Sequence, residues 1–299
     1  MRAAFAALLL GGVCIGFAPI FVRWAETGPV ASAFWRMLIA SIVLWVWRAA
    51  ARREAAQPLT ISRDAVFSGL MFAGDLAVWH FSILLTTVAN ATLLANLAPV
   101  IVTIAAWWFG GQKPRGAFIA SLSVALLGAA TLVGLSFHGA TSNAFGDLLG
   151  ITTAFFYAAY MLSITRARAN TDALTLMALS SSVTTLALLP IALGFSFMQH
   201  TTFMPTSVNG WAVLVGLALL AQVAGQTLIA MAAARLPVAL SSTTLLIQPL
   251  VATIAAWAWF DERLSMQQCI GAVVLLTGLY FARRASLETR PSQGAAPTL

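Results

Sequence analysis

Apolar residues occur along this chain in long runs, and short breaks between the runs hold most of the charged residues. Ten runs approach the length of about 20 residues that an α-helix needs to cross a bilayer. We place these helices at residues 4–22, 30–48, 65–86, 91–110, 117–137, 147–165, 173–197, 209–233, 237–259 and 267–282. The pattern predicts an all-α integral membrane protein with ten transmembrane helices.

Composition supports this fold class. The chain is 60% hydrophobic and 8% charged, whereas an average soluble domain is roughly 25% charged. The first apolar run is longer than the hydrophobic segment of a signal peptide, so we interpret it as a helix that stays attached. Cys14 and Cys269 lie inside apolar runs, where they indicate packing thiols and no disulfide or metal site.

The basic residues indicate an orientation in the membrane. If the N-terminus is cytoplasmic, only Arg23 and Arg263 face outward, and Arg36 falls within a span. The inward-facing set is Arg2, Arg48, Arg52, Arg53, Arg63, Lys113, Arg115, Arg166, Arg168, Arg235, Arg283, Arg284 and Arg290. This bias predicts cytoplasmic N- and C-termini in the cell inner membrane. The clusters explain the net charge of +7 and give no reason to expect nucleic acid as a partner.

The chain also contains an internal repeat. The pentapeptide TIAAW occurs at residues 103–107 and 253–257, and Pro99 with Pro249 and Gly128 with Gly278 keep the same offset. The copies lie five predicted helices apart, in the fourth and the ninth, so equivalent helices cross the membrane in opposite directions. We therefore expect two inverted five-helix repeats, 1–145 and 146–285, around a central cavity. The polar tail, 286–299, is expected to be disordered and cytoplasmic.

The repeat ends resemble a known family. "VANATLLANLAPVIVTIAAWWFGGQKPRGAFIASLSVALLGAATLV" and "VALSSTTLLIQPLVATIAAWAWFDERLSMQQCIGAVVLLTGLYFARR" are similar to the repeat of the EamA family in the drug/metabolite transporter superfamily. The shared features are a small or polar helix start, a mid-helix proline, a turn like FxxER and a glycine-containing last helix. The first repeat departs from the pattern at Gln112, where the second has Glu262.

The resemblance implies a fold and a class of function. Members of the family export amino acids, including aromatic ones, other metabolites or drugs. The first four helices of each half surround the cavity, and the fifth packs outside, here residues 117–137 and 267–282. Small residues at Ala117, Ser121, Ala125 and Ala129 suit such close packing.

Asp75 is the only carboxylate well inside a predicted span, and burying a charge there costs at least a few kcal/mol. On a helix, Asp75 shares one face with Trp79, Ser82 and Thr86. We expect this face to line the cavity. The alternative is that Asp75 only bonds a neighbouring helix. His80 lies on another face of this helix, where it is either a packing residue or a site residue.

Other polar positions complete the candidate substrate site. Arg36 either snorkels to the outer surface or pairs with Asp75 or a substrate carboxylate. The mid-helix prolines free backbone carbonyls that a cavity can use. The remaining candidates, for which helix-to-helix hydrogen bonding is the alternative, are Asn96, Tyr157, Tyr160, Ser241, Thr244 and Gln248.

Together these residues predict a secondary transporter that exports small amphiphilic metabolites, chiefly aromatic or large apolar amino acids. Asp75 with Trp79 would bind the ammonium group, and Asn96, Ser241 or Arg36 the carboxylate. Efflux of lipophilic cations is the alternative within transport, with Asp75 as the binding charge. An integral-membrane enzyme is the competing class. The sequence contains no catalytic motif, no phosphate-binding loop and no cofactor signature. The expected partners are a small molecule and the lipid bilayer, and a monomer suffices.

Overall fold

The computed structural model describes residues 2–51, 61–86, 88–111, 113–133, 144–260 and 265–287. Within these ranges the regular structure is entirely helical. The elements are α1 (Arg2–Gly16), α2 (Ala18–Trp24), α3 (Pro29–Ala51), α4 (Arg63–Leu85), α5 (Val88–Ala95), α6 (Ala98–Gly110), α7 (Gly116–Val133), α8 (Ala144–Ala167), α9 (Ala173–Gln199), α10 (Val208–Leu217), a π-helical segment (Ala218–Gln226), α11 (Thr227–Ala233), α12 (Val238–Thr244), α13 (Ile247–Phe260) and α14 (Met266–Leu287).

Each of the ten predicted spans coincides with one described helix or with a broken helix. Eight helical stretches are long and apolar enough to cross a membrane, and Ala98–Gly110 and Gly116–Leu132 are shorter apolar helices. The turn that resembles FxxER lies outside the described residues in both repeats, at Gln112 and at residues 261–264. The C-terminal tail beyond Leu287 lies outside them too.

Three of the predicted spans are interrupted at prolines. A proline ring clashes with the carbonyl four residues earlier and offers no N–H to it. Pro19, Pro99 and Pro249 therefore offer no N–H to the carbonyls of Ile15, Ala95 and Leu245, and α1, α5 and α12 end within one residue of these positions. At the third break the amide of Gln248 donates to the Leu245 carbonyl instead, at 3.0 Å. Each break lies near the middle of its span.

The breaks in the two repeats are built alike. The amide of Leu97 donates to the carbonyl of Leu94 at 3.1 Å. In the second repeat the amide of Leu246 donates to the carbonyl of Thr243, also at 3.1 Å. After each break a threonine hydroxyl donates to the proline carbonyl one turn earlier. The distances are 2.7 Å from Thr103 to Pro99 and 2.8 Å from Thr253 to Pro249. The sequence repeat is therefore also a structural repeat.

Helices α7 and α14 pack against each other through glycines. A Cβ added at Gly128 would lie 2.2 Å from the amide nitrogen of Leu275, and one added at Gly278 would lie 2.4 Å from that of Ala125. Ala125 and Ala129 are fully buried in this contact, as the small-residue spacing on α7 predicted. The contact is reciprocal, because 128 and 278, like 125 and 275, are 150 positions apart.

The third helix of each predicted repeat packs on the first two helices of the other repeat. Helix α4 packs on α8 and α9, while the π-helical segment packs on α1 and α3. Helix α3 packs along α9, and their apolar residues belong to the largest buried cluster. The middle of this bundle contains the proline breaks, and a cavity lies beside them.

Candidate functional site

A cavity of about 250 Å³ lies where the broken helices meet α4 and α8. The residues four positions before the three prolines, Ile15, Ala95 and Leu245, all line it. The prolines that cause the breaks line it as well. The rest of the wall comes from one face of α4 and one face of α8. This position follows from the sequence, because the prolines both open the helices and set the depth of the break.

Five of the eleven sequence-predicted site residues line this cavity. They are Asp75, Trp79, Asn96, Tyr157 and Gln248. The first two come from α4 and Tyr157 from α8, while Asn96 and Gln248 lie at the breaks of the two repeats. Four separate parts of the fold thus bring a carboxylate, two aromatic rings and two amides to one space.

The polar groups on the cavity wall have few partners in the protein. Asp75 makes no hydrogen bond or ion pair with another described residue. The side-chain nitrogen of Asn96 is buried and has no hydrogen-bond partner. The Tyr157 hydroxyl makes no well-formed hydrogen bond, although Gln248 lies beside it. Unpaired buried polar groups are costly, so a ligand in the cavity would gain from pairing with them.

Ser82 and His80 have other partners. The Ser82 hydroxyl donates to the carbonyl of Gly146 at 2.7 Å, and Thr86 donates to Asp147 at 2.7 Å. The predicted face of α4 is therefore divided: its middle lines the cavity and its last turn packs on α8. The His80 ring is buried and bonds the carbonyl of Leu76 through Nδ1.

Arg36 and Tyr160 form a buried polar network beside the cavity. Arg36 is only 7% exposed, so it does not snorkel to the surface. Its Nη2 donates to Gln222 at 3.0 Å, and the Tyr160 hydroxyl donates to Gln226 at 3.0 Å. The Tyr160 ring stacks on Phe72 with centroids 4.5 Å apart. Both glutamines belong to the π-helical segment, so this network fixes its position against α3 and α8.

Ser241 and Thr244 are buried in α12 and do not line the cavity. The Thr244 hydroxyl donates to the carbonyl of Leu240 at 2.7 Å, which is a bond within its own helix. The Ser241 hydroxyl has no hydrogen-bond partner. The break after Thr244 turns the cavity face toward Ser242 and Gln248.

The family resemblance implied that the first span borders the cavity, but sequence analysis named no residue of that span as a site residue. Ile15, Gly16, Ala18 and Pro19 line it. These residues are apolar or small, so they gave no polar signal. Pro19 was the available clue, since it stands within an apolar run as Pro99 and Pro249 do.

The cavity suits binding of a small amphiphilic molecule. Its volume lies just below the usual range of about 300–1,000 Å³ for drug-sized ligands. One carboxylate and two amides can orient such a molecule, and the aromatic and aliphatic wall can cover its apolar part. Among the described residues, no group of three His, Cys, Asp or Glu side chains is close enough to hold a metal ion.

Comparison with known proteins gives the class of the molecule. The model of the EamA-like transporter family matches the chain twice, at residues 2–134 and 144–284. A relative in Archaeoglobus fulgidus, named an uncharacterized transporter, is 28% identical over 261 residues, which cover 85% of this chain and 88% of the relative. A second uncharacterized transporter of that organism is 26% identical over 285 residues, covering 95% and 97%.

A solved crystal structure shares the fold. It superposes with a TM-score of 0.75 at 17% sequence identity. The superposition covers 96% of this chain and 98% of the chain in the solved structure. The helical architecture, the apolar spans and the double family match agree with one another. The chain belongs to the EamA-like transporter family and is a multi-pass membrane transporter.

Proposed function

We propose that this transporter is a secondary exporter of small amphiphilic metabolites, chiefly amino acids with aromatic or large apolar side chains. The observation that carries the proposal is the composition of the central cavity. Asp75, a partly buried carboxylate, lies one helical turn from Trp79, and both line the same space. A zwitterion with an apolar side chain offers matching groups.

The ammonium group of the substrate pairs with Asp75. It also meets the wall formed by Ile15 and Ala95, which lie four residues before Pro19 and Pro99. The substrate carboxylate accepts a hydrogen bond from Asn96, whose side-chain nitrogen is buried and unpaired. The side chain lies between Trp79 and Tyr157, where aromatic contacts contribute about 0.5–1.5 kcal/mol beyond burial.

We further propose that the two halves, 1–145 and 146–285, are inverted repeats in a ten-span bundle. The reciprocal contact of α7 and α14 supports a two-fold relation, because such an axis pairs each residue with the equivalent of its partner. The matching breaks near Pro99 and Pro249 support it too. In secondary transporters of this design, the halves move against each other around a midplane site.

The distribution of basic residues supports cytoplasmic termini and insertion in the inner membrane. With that orientation the cavity occupies the middle and outer half of the bundle. A single chain supplies every cavity residue named above, which is compatible with a monomer. The chemistry described requires no cofactor.

Efflux of lipophilic cations is the second candidate. It is favoured by the mostly apolar wall around a single carboxylate. Such a substrate would use Asp75 and the aromatic rings and would leave Asn96 unpaired. The two candidates therefore differ at one residue.

The test uses purified protein in proteoliposomes. We expect uptake of radiolabelled phenylalanine to be saturable and to be inhibited by tryptophan and leucine. We expect much weaker inhibition by glycine or by tetraphenylphosphonium. Saturable uptake of radiolabelled tetraphenylphosphonium without uptake of phenylalanine would favour the cation exporter. Absence of transport for both classes would reject the proposed substrates.

A further inference from the structure

A second, larger cavity lies at one end of the bundle. It has a volume of about 810 Å³ and is lined by the turn before α7, the turn between α11 and α12, and the ends of α6 and α14. Thr103 lines it, one helical turn from Pro99 of the central cavity. The second cavity shares no lining residue with the central cavity and extends from α6 to the connections at the helix ends.

Three cations converge on this cavity from both halves of the chain. Lys113 and Arg115 come from the first half and Arg235 from the second, and no carboxylate is among the described lining residues. All three side chains are exposed. Since no described acidic group neutralises them there, the cavity mouth is strongly positive.

The inner wall is apolar. Ala106, Phe118, Leu236 and Leu240 are buried residues that line it. A cationic rim above an apolar wall, at the ends of membrane-spanning helices, matches a molecule with an anionic head and a hydrocarbon tail. Basic recesses between helices on the cytoplasmic side bind lipid head groups in this way.

The rule that places positive charge in cytoplasmic loops accounts for cations on this face but not for their position around one cavity. The repeat allows these three positions to be compared with the equivalent positions of the other half, which lie at the opposite face of the bundle in an inverted repeat. The positions equivalent to Lys113, Arg115 and Arg235 hold Arg263, Ser265 and Leu85. The cationic triad is therefore absent from the other repeat, although the helical framework is shared.

We propose that this cavity binds the phosphate head group of an anionic phospholipid from the leaflet on that side. Lys113, Arg115 and Arg235 hold the phosphate, and an acyl chain lies along Phe118 and Leu240. The lipid bridges the loop before α7 and the loop before α12, so it couples the two halves at the surface. This site is separate from the substrate cavity and does not depend on which molecule is transported.

The test compares the parent protein with a variant carrying Lys113→Gln, Arg115→Gln and Arg235→Gln. A matched control carries Arg2→Gln, Arg63→Gln and Arg166→Gln, three exposed cations away from the cavity with the same loss of charge. Purified proteins in detergent receive phosphatidylglycerol, phosphatidylcholine or inorganic phosphate at equal ionic strength. Bound lipid is counted by native mass spectrometry, and the thermal unfolding midpoint is recorded.

Phosphatidylglycerol should raise the midpoint of the parent and of the control but not that of the cavity variant. The affinity should fall about fivefold for each cation removed and roughly 100-fold for all three. In native mass spectra, the cavity variant should carry one bound phosphatidylglycerol molecule fewer than the parent and the control. Equal stabilisation of all three proteins would overturn the proposal. Inorganic phosphate that reproduces the full shift would also overturn it, by showing a site for free anions.

Discussion

Trp79 is held in place by its neighbours on α4. Its indole lines the central cavity and meets the buried ring of His80 edge-on, with centroids 5.0 Å apart. The His80 ring is in turn fixed by its bond to the carbonyl of Leu76. We therefore assign His80 a positioning role for the aromatic wall and not a contact with substrate.

Replacing Trp79 by alanine should change selectivity. The variant loses an aromatic contact of about 0.5–1.5 kcal/mol together with buried area, so the affinity for phenylalanine should fall roughly tenfold. The affinity for alanine should change much less. Competition against labelled phenylalanine in proteoliposomes measures both. Trp108→Ala, a change at an 80% exposed tryptophan, is the control, and an equal loss for both substrates in Trp79→Ala would contradict the assignment.

Glu26 links the connection between α2 and α3 to the connection between α9 and α10, and both connections lie outside the spans. Its carboxylate accepts hydrogen bonds from the amides of Thr206 and Ser207 at 2.9 and 3.2 Å and from both hydroxyls. The Ser207 hydroxyl and the Thr206 amide hold the pKa of Glu26 below its ordinary value of 4.5. The ionised form therefore stabilises the folded connection above pH 4.5, and this contribution is lost as the pH falls through the lowered pKa.

The pH dependence can be read at the amides of residues 201–207. Their hydrogen-exchange protection factors should be constant near neutral pH and should fall only at a pH below the ordinary Glu26 pKa of 4.5, because the pKa is lowered. In Glu26→Gln they should be lower throughout and independent of pH, because one acceptor oxygen and the charge are gone. A parent protein without a pH-dependent step would show that Glu26 does not hold this connection.

At the scale of helices, the proline breaks could be predicted from the sequence. The division of one face of α4 between the cavity and the contact with α8 could not. Each proline removes a donor and clashes with the preceding turn, and this local effect can be read from sequence. Ser82 and Thr86 share the face of Asp75, yet the start of α8 takes both of them as partners. That outcome depends on how closely two helices meet, which a single sequence does not encode locally. The π-helical segment also lacked a sequence signal.

The α7–α14 contact should be sensitive to one added methyl group. In Gly278→Ala the new Cβ would lie 2.4 Å from the backbone of Ala125, so the helices must move apart. Overpacking of this kind costs about 1–3 kcal/mol, and the thermal unfolding midpoint should fall. Gly194→Ala in α9 is the matched control, since no atom lies within 4 Å of its new Cβ. Equal midpoints for the two variants would contradict the packing described.

At the scale of the whole molecule, the repeat in the sequence recurs in local features of the structure. The offset of 150 positions links the prolines of two breaks, the threonine bonds and the facing glycines of α7 and α14. The content of the cavity was only partly predictable. Its polar residues could be found because charge and amides are rare in apolar runs. The apolar wall from α1 and α2 could not, because it resembles every other lipid-facing or core surface.

The proposed orientation predicts which connections face outward. In a cysteine-free variant, Thr206→Cys should react with a membrane-impermeant maleimide added to intact cells. Asn170→Cys, in the exposed turn between α8 and α9, should react only after the membrane is opened. The opposite pattern would reverse the orientation, while reaction at both positions in intact cells would contradict the number of spans between them.

The central claim is that Asp75 binds the substrate inside the transporter. The direct measurement is phenylalanine binding and counterflow by the purified parent and by Asp75→Asn. A charge-assisted hydrogen bond contributes about 1.5–3 kcal/mol, so the affinity should fall roughly 10- to 100-fold, and counterflow should fall with it. Ser82→Ala, which removes a hydroxyl bonded to Gly146 on the same helix, should bind and transport like the parent. A folded Asp75→Asn protein with unchanged affinity and counterflow would contradict the account and assign Asp75 to helix packing.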